Sequence, residues 1–168
     1  TGLYSAGSTF KLVTGAAGLL YGGYKVTDRL ECGSIWTGVD PPRRNWEGGQ
    51  GQLTVAEGLM RSCNPVFYEI ALTLYNDTDG ALSQTARLFG FGSATGVKGI
   101  SEEDGQVPDA AQKRAKTGQP WFPGDEVAFH RTANTVKVVE GGPESVNHTG
   151  AAWFHLDCHV VPGEDVTP

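Results

Sequence analysis

The sequence predicts an α+β domain that is mostly helical, with a short β segment near its C-terminal end. Apolar residues recur at helical spacing in the first 20 residues and again over residues 55–75. Residues 153–161 instead alternate between apolar and polar side chains, as in a half-buried strand with residues 135–139 as its candidate partner. The 168 residues are enough for one domain with a sizeable core and too few for two comfortable ones.

Composition excludes several classes of function. Charged residues make up 19% of the chain and the formal net charge is −6, so we expect no nucleic-acid partner. No apolar run is long enough to span a bilayer, and no signal peptide precedes the first helix, so we expect an excised piece of a longer protein. Cys32, Cys63 and Cys158 are odd in number, which leaves open whether one pair is bridged.

The first helix is predicted from Ser8 to about Tyr21, ended by two glycines. Residues 24–53 then lack sustained periodicity and are rich in glycine and proline, so we expect a long irregular connection. This connection is either functional or a surface cover that Trp36 and Trp46 hold against the body. Its composition does not decide between the two.

Two helices are predicted to meet at a corner in the middle of the chain. Thr54 and Glu57 fit a capping box, which predicts a helix over residues 55–61. Asn64 is a candidate N-cap and Pro65 suits the first position of the next helix. The apolar face of that helix consists of Phe67, Ile70, Ala71 and Leu74.

Two shorter helices are predicted further along the chain. Asp79 is a candidate cap for a helix that holds four apolar residues and stops at Gly90, the four being Leu82, Ala86, Leu88 and Phe89. A second short helix is predicted over residues 109–116.

Two polar motifs are candidates for chemistry. Ser8 and Lys11 lie three residues apart and so project from the same side of one helical turn. A serine hydroxyl attacks only when a base takes its proton, and a lysine amine does this when its surroundings lower its pKa. Ser62 and Asn64 lie at the helix–helix corner, where a hydroxyl can relay a proton and a carboxamide can hold the amine or a substrate amide. Alone, each motif is more often structural: a helix start with a solvated amine, or a pair of ordinary caps.

Four separated stretches place these motifs in a wider pattern. They read TyrSerAlaGlySerThrPheLysLeu (4–12), GlyGlnLeuThrValAlaGluGlyLeuMetArgSerCysAsn (51–64), PheGlyPheGly (89–92) and GlnProTrpPheProGlyAsp (119–125). Because of these four stretches, residues 4–127 resemble the transpeptidase domain of a high-molecular-weight penicillin-binding protein. The resemblance implies the predominantly helical part of that fold over residues 1–127, followed by a divergent tail of unknown role, 128–168.

The resemblance also implies an activity and its residues. In this family a serine attacks the penultimate D-Ala carbonyl of a peptidoglycan stem peptide, and β-lactams acylate the same serine. By this resemblance Ser8 would be the nucleophile, Lys11 its base, Ser62 the proton relay and Asn64 the contact to the substrate amide. The backbone N–H of Ser8 would form half of an oxyanion hole. The partner would be a stem peptide or a β-lactam outside the cytoplasmic membrane, and neither a cofactor nor a metal is implied.

Two features depart from the family pattern. The family's third motif is a Lys-Thr-Gly on a sheet strand, whereas Lys116-Thr117-Gly118 is closely followed by Pro120, which cannot continue a central strand. We therefore interpret this match as accidental. After residue 127 the pattern does not return, so we expect a truncated or rearranged relative without the family's sheet.

Two alternatives follow from these departures. The chain could be a serine hydrolase of the β-lactamase or esterase type, or an inactive remnant that only folds or forms a homodimer covering its apolar helix faces.

The tail carries all four histidines, His130, His148, His155 and His159. His155, Asp157 and His159 share one strand face and could bind zinc, although a polar outer face explains them more simply.

Overall fold

The computed structural model describes residues 6–128 except 79, 100 and 103. In chain order its elements are a 3-10 turn (Gly7–Phe10), α1 (Lys11–Leu20), β1 (Arg29–Cys32), β2 (Ile35–Trp36), β3 (Arg43–Arg44), β4 (Gly51–Thr54), α2 (Val55–Met60), α3 (Asn64–Asp77), α4 (Ala81–Leu88), α5 (Ala110–Thr117) and α6 (Pro123–Ala128). Helices predominate over short antiparallel strands in the described part, which confirms the predicted α+β class. The strands expected at 135–139 and 153–161 lie outside the described residues.

Helix α3 lies at the centre of the core. The four apolar residues predicted for its buried face are all fully buried, and the helix contacts α1, α2, α4 and α6. Helix α1 packs on α3 with Val13 and Ala17 buried. At Gly18 the side chain of Ile70 comes so close to α1 that an added Cβ would lie 2.6 Å from its Cγ2. Each large side chain buried here stabilises the fold by about 1.5–3 kcal/mol, so the packing of α1 on α3 contributes strongly to stability.

The corner between α2 and α3 forms nearly as predicted. The Thr54 hydroxyl accepts from the Glu57 N–H at 3.2 Å, and the Glu57 carboxylate accepts from the Thr54 N–H at 2.8 Å, which confirms the capping box. These hydrogen bonds lower the pKa of Glu57 below its usual value. The N-cap of α3 is Cys63 rather than Asn64, so the predicted cap was wrong, while Pro65 does lie in the first turn.

Helices α4 and α5 follow α3, and the short helix α6, which the sequence did not predict, comes after them. The N-cap of α4 is Gly80, at φ 72°, and the predicted cap, Asp79, lies outside the described residues. Of the apolar residues predicted for α4, Leu82 and Ala86 are buried, but Leu88 and Phe89 at its end are exposed. The predicted short helix is confirmed as α5, whose first turn is capped by the side chain of Asp109.

Residues 24–53 contain four strands, so the expectation of a wholly irregular connection was wrong. Strand β1 pairs antiparallel with β4, with Leu30 opposite Leu53, and β2 pairs antiparallel with β3. Strands of two to four residues are too short to produce a period-2 pattern that stands out from the surrounding glycines. The β1–β4 ribbon returns the chain to the start of α2 and so closes the connection onto the core.

The two tryptophans hold this connection against α2 and α3, as one interpretation of the sequence expected. The indole N–H of Trp36 donates to the Glu69 carboxylate at 2.8 Å, and its ring packs against Tyr68. The indole N–H of Trp46 donates to the carbonyl oxygen of Arg61 at 3.3 Å. The Trp46 contact therefore lies directly before Ser62, and the Trp36 contacts lie in the second turn of α3.

Candidate active site

Ser8 and Lys11 form the first half of the site. Ser8 lies inside the 3-10 turn and is half-buried, whereas Lys11 is the first residue of α1 and only 1% exposed. The Lys11 amine donates to the Ser8 hydroxyl at 3.1 Å. The interpretation of Lys11 as a solvated amine at a helix start was wrong, because the α1–α3 packing buries it.

Ser62 comes from the turn that ends α2. Its backbone has φ 53°, the only positive φ of a non-glycine residue in the described part of the chain. A left-handed conformation at serine is strained, and such strain persists only where the surroundings enforce it. Here it directs both oxygens of Ser62 to the Lys11 amine, the hydroxyl at 2.9 Å and the carbonyl at 2.8 Å. The Ser62 hydroxyl also lies 3.1 Å from the Ser8 hydroxyl.

Asn64 closes the cluster from the start of α3. Its side-chain oxygen accepts from the Lys11 amine at 2.6 Å, and the residue is 1% exposed. The structure therefore brings together all four residues that the sequence singled out, from two separate segments of the chain. The side chain of Asn64 serves the lysine and not the helix N-terminus.

The arrangement can move a proton between three groups. The Ser8 hydroxyl, the Lys11 amine and the Ser62 hydroxyl are each within 3.1 Å of the other two. Such a triangle lets a hydroxyl proton pass to the amine and onward to a third group without rearranging the backbone. The ring of Phe67 lies beside the amine, 5.9 Å from the nitrogen to its centroid, and contributes to the apolar wall of the cluster.

Sequence reasoning missed two features behind Asn64. Asn45, in the stretch after β3, accepts from the Asn64 backbone N–H at 3.0 Å through its side-chain oxygen. A disulfide joins Cys32, at the end of β1, to Cys63, which lies between Ser62 and Asn64. The only available signal was the cysteine inside the Ser-Cys-Asn motif. Nothing in the composition of residues 24–53 pointed to Asn45.

The remaining family-like segments have structural positions. Lys116 and Thr117 end α5 and Gly118 caps it at φ 71°, so this triplet is not on a strand, in agreement with the sequence interpretation. Asp125 pairs with Lys113, and both are buried. Its carboxylate also accepts from the backbone N–H of Phe122 at 2.7 Å, which folds the Trp-Phe-Pro-Gly-Asp segment onto α5.

The described part of the chain contains neither a metal-binding cluster nor a membrane-spanning helix. Residues 6–128, with their three gaps, contain no group of three or more His, Cys, Asp or Glu side chains that could hold a metal ion. The four histidines considered for zinc lie outside these residues. Among the described helices, none has both the length and the apolar character needed to cross a membrane.

Comparison with known proteins identifies the family. The model of the penicillin binding protein transpeptidase domain matches residues 1–140. The chain therefore belongs to the penicillin-binding protein transpeptidase family. The match covers all four stretches quoted from the sequence and extends beyond residue 127.

Relatives and solved structures agree with this assignment. The peptidoglycan D,D-transpeptidase MrdA of Salmonella typhimurium strain SL1344 is 28% identical over 176 aligned positions, which cover 99% of this chain and 28% of the relative. Pseudomonas aeruginosa PBP2 in complex with WCK 5153 is similar with a TM-score of 0.67 and 31% identity, covering 75% of this chain and 29% of that one. The complex between PBP2 and MreC from Helicobacter pylori gives a TM-score of 0.70 at 27% identity, covering 77% and 24%. This chain thus spans less than a third of the length of these relatives.

Proposed function

We propose that this chain carries the nucleophile half of an acyl-serine D,D-transpeptidase site that reacts with D-Ala-D-Ala stem peptides and with β-lactams. The observation that carries the proposal is the buried Lys11 amine, which lies 3.1 Å from the Ser8 hydroxyl and 2.9 Å from the Ser62 hydroxyl. Family membership and the MrdA and PBP2 relatives support the same chemistry.

In the proposed reaction the neutral amine of Lys11 takes the Ser8 proton as the serine oxygen attacks the substrate carbonyl carbon. Negative charge then develops on the carbonyl oxygen, which the backbone N–H of Ser8 stabilises. Ser62 passes the proton from the amine to the leaving nitrogen, so that the carbon–nitrogen bond breaks and the acyl group stays on Ser8. An amine of a neighbouring stem peptide then attacks the ester carbonyl, the carbon–oxygen bond to Ser8 breaks, and the amine proton returns to the Ser8 oxygen through Lys11. Asn64 orients the lysine amine and contributes the substrate-amide contact.

The contacts of Glu57 support the proposal of a long-lived acyl-enzyme over a hydrolase. Deacylation by water needs a base beside the ester, and Glu57 is the acidic residue nearest Ser62 in the sequence. Its carboxylate is instead engaged by the Thr54 N–H at 2.8 Å and by Arg29 at 3.3 Å. This carboxylate is therefore a helix cap and ion-pair partner, and we propose that acyl transfer exceeds hydrolysis.

The disulfide supports a location outside the cytoplasm. Bridges such as Cys32–Cys63 form and persist in oxidising compartments and are rare in the cytosol. Peptidoglycan stem peptides lie in the same extracytoplasmic space. We therefore propose that the chain acts at the outer face of a bacterial cytoplasmic membrane or in the periplasm.

The test is the intact mass of the chain after incubation with benzylpenicillin. We expect a single covalent adduct on the native chain and none on Ser8→Ala. Ser101→Ala is the matched control, because Ser101 is an exposed serine outside the cluster, and it should form the adduct as the native chain does. Circular dichroism establishes that each variant is folded.

Three outcomes separate the candidate functions. A stable adduct supports a trapped transpeptidase, and an adduct that decays within minutes supports the hydrolase instead. A folded native chain that forms no adduct at high drug concentration overturns the proposal and leaves a non-catalytic scaffold. Light scattering on the same sample tests the homodimer.

A further inference from the structure

Asn45 is a buried polar residue that the proposed chemistry does not use. It lies in the loop between β3 and β4 and is 6% exposed. Its backbone N–H donates to the Ser34 carbonyl oxygen at 2.9 Å, and its side-chain amide donates to the Gly48 carbonyl oxygen at 2.6 Å. The same amide nitrogen lies 3.6 Å from the sulfur of Cys32. These three contacts therefore fix the position of Asn45 independently of its contact with the site.

The other polar atom of the Asn45 side chain points to the site. Its side-chain oxygen accepts from the Asn64 backbone N–H at 3.0 Å. The first N–H groups of a helix have no partner inside the helix, and Cys63 at the N-cap supplies no side-chain bond to them. Asn45 thus caps α3 from another segment of the chain, at the residue whose side chain contacts Lys11.

A side-chain cap from a distant segment controls position as well as stability. Asn64 has its backbone N–H on Asn45 and its side-chain oxygen on the Lys11 amine, at 3.0 and 2.6 Å. Without the contact to Asn45 the start of α3 can shift. The contact between the Asn64 side chain and the Lys11 amine then changes with it. Misplacement by about 1 Å can slow a positioned reaction about a hundredfold.

We propose that Asn45 is a positioning residue that sets the distance between Asn64 and the Lys11 amine by holding the Asn64 backbone. This inference rests on the proposed acyl-serine function, because its kinetic effect is measured on Ser8. It does not depend on that function for its structural effect, which is measured on the Asn64 amide.

The experiment compares three variants of the full chain. Asn45→Ala removes both the acceptor and the donor, whereas Asn45→Asp keeps an oxygen that can accept from the Asn64 N–H. Asn76→Ala makes the same change at an exposed asparagine on α3. We expect benzylpenicillin to acylate Asn45→Ala about 10- to 100-fold more slowly than the native chain. Asn76→Ala should match the native rate, and Asn45→Asp should lie between Asn45→Ala and native.

The second readout is hydrogen exchange of the Asn64 amide, followed by NMR. We expect this amide to exchange much faster in Asn45→Ala than in the native chain, while Asn45→Asp keeps most of its protection. A merely structural role would lower the overall stability without selectively exposing this one amide. NMR signals of the Lys11 side chain should shift in Asn45→Ala and not in Asn76→Ala.

The outcomes decide the inference separately from the proposed function. A folded Asn45→Ala that acylates at the native rate with a protected Asn64 amide overturns the inference. If Asn45→Ala does not fold, the Asn45→Asp variant decides the inference. An Asn45→Asp chain that acylates at the native rate although its Asn64 amide is unprotected also overturns the inference. If the native chain forms no adduct, the proposed function fails. Amide exchange and the Lys11 signals then still decide whether Asn45 holds Asn64 in place.

Discussion

The amine nitrogen of Lys11 lies 2.6 Å from the side-chain oxygen of Asn64, a residue 53 positions later in the chain. The contact joins the first residue of α1 to the first residue of α3, the two helices whose packing forms much of the core. The candidate site and the fold are therefore stabilised by the same contact, and a change at one of them is expected to affect the other.

Asn64→Ala should reduce both stability and acylation. The substitution leaves the buried Lys11 amine without one of its oxygen partners, which costs about 1–3 kcal/mol of the free energy of unfolding. Urea denaturation measures this loss, and the rate of benzylpenicillin adduct formation should fall as well. Asn76→Ala, on the exposed side of the same helix, is the control and should change neither quantity. An Asn64→Ala chain as stable as the native one would show that the contact contributes nothing.

Removal of the disulfide should destabilise the whole fold. The bridge spans 31 residues, and closing a loop of that length is worth about 3–4 kcal/mol in the chain-entropy estimate. We expect a Cys32→Ser, Cys63→Ser double variant to unfold at a correspondingly lower urea concentration. Peptide mapping without reductant should recover Cys32 linked to Cys63. Recovery of Cys63 linked to Cys158 instead would contradict the pairing.

The close approach of α1 and α3 predicts opposite effects at two glycines of one helix. A Cβ at Gly18 would lie 2.6 Å from Cγ2 of Ile70, whereas one at Gly15 would lie 3.3 Å from Cγ1 of Val55. Alanine gains about 1 kcal/mol over glycine in a helix interior, while overpacking costs about 1–3 kcal/mol. We expect Gly18→Ala to lower the free energy of unfolding and Gly15→Ala to leave it unchanged or raise it. Thermal denaturation of both variants tests the contrast, which fails if Gly18→Ala is the more stable of the two.

The capping box predicts an acid-sensitive contribution to stability. Hydrogen bonds from Thr54 lower the pKa of Glu57 below its usual 4.5, and the bond from the Thr54 backbone N–H has the largest effect. The charge of Arg29 lowers this pKa further. Because the folded pKa is the lower one, the stabilisation is fully present above pH 4.5 and is lost as the pH falls through the folded value. Glu57→Gln keeps a side chain able to complete the box and removes the charge. Its stability should therefore depend less on pH than that of the native chain in this window, and equal slopes for the two would contradict the prediction.

Local signals carried much of the sequence prediction. The capping box at Thr54 and Glu57 and the buried face of α3 depend on residues within a few positions of one another, so their patterns are visible in the chain itself. The strands in residues 24–53 were missed because each is short and gains its partner from a distant residue, as Leu30 does from Leu53. For the same reason the sequence could not decide which cysteines pair.

The sequence by itself determined helices α1 to α5 but not α6, and it determined the order of the two polar motifs and the resemblance to the transpeptidase family, because these are patterns of residue type and spacing. Only the tertiary structure decided that Lys11 is buried, and that the Asn64 side chain accepts a hydrogen bond from the Lys11 amine instead of capping its helix. It also placed Asn45 behind Asn64. These facts depend on where segments far apart in the chain meet, and that is set by the packing of α1 on α3 and by the β1–β4 ribbon, which no local pattern encodes.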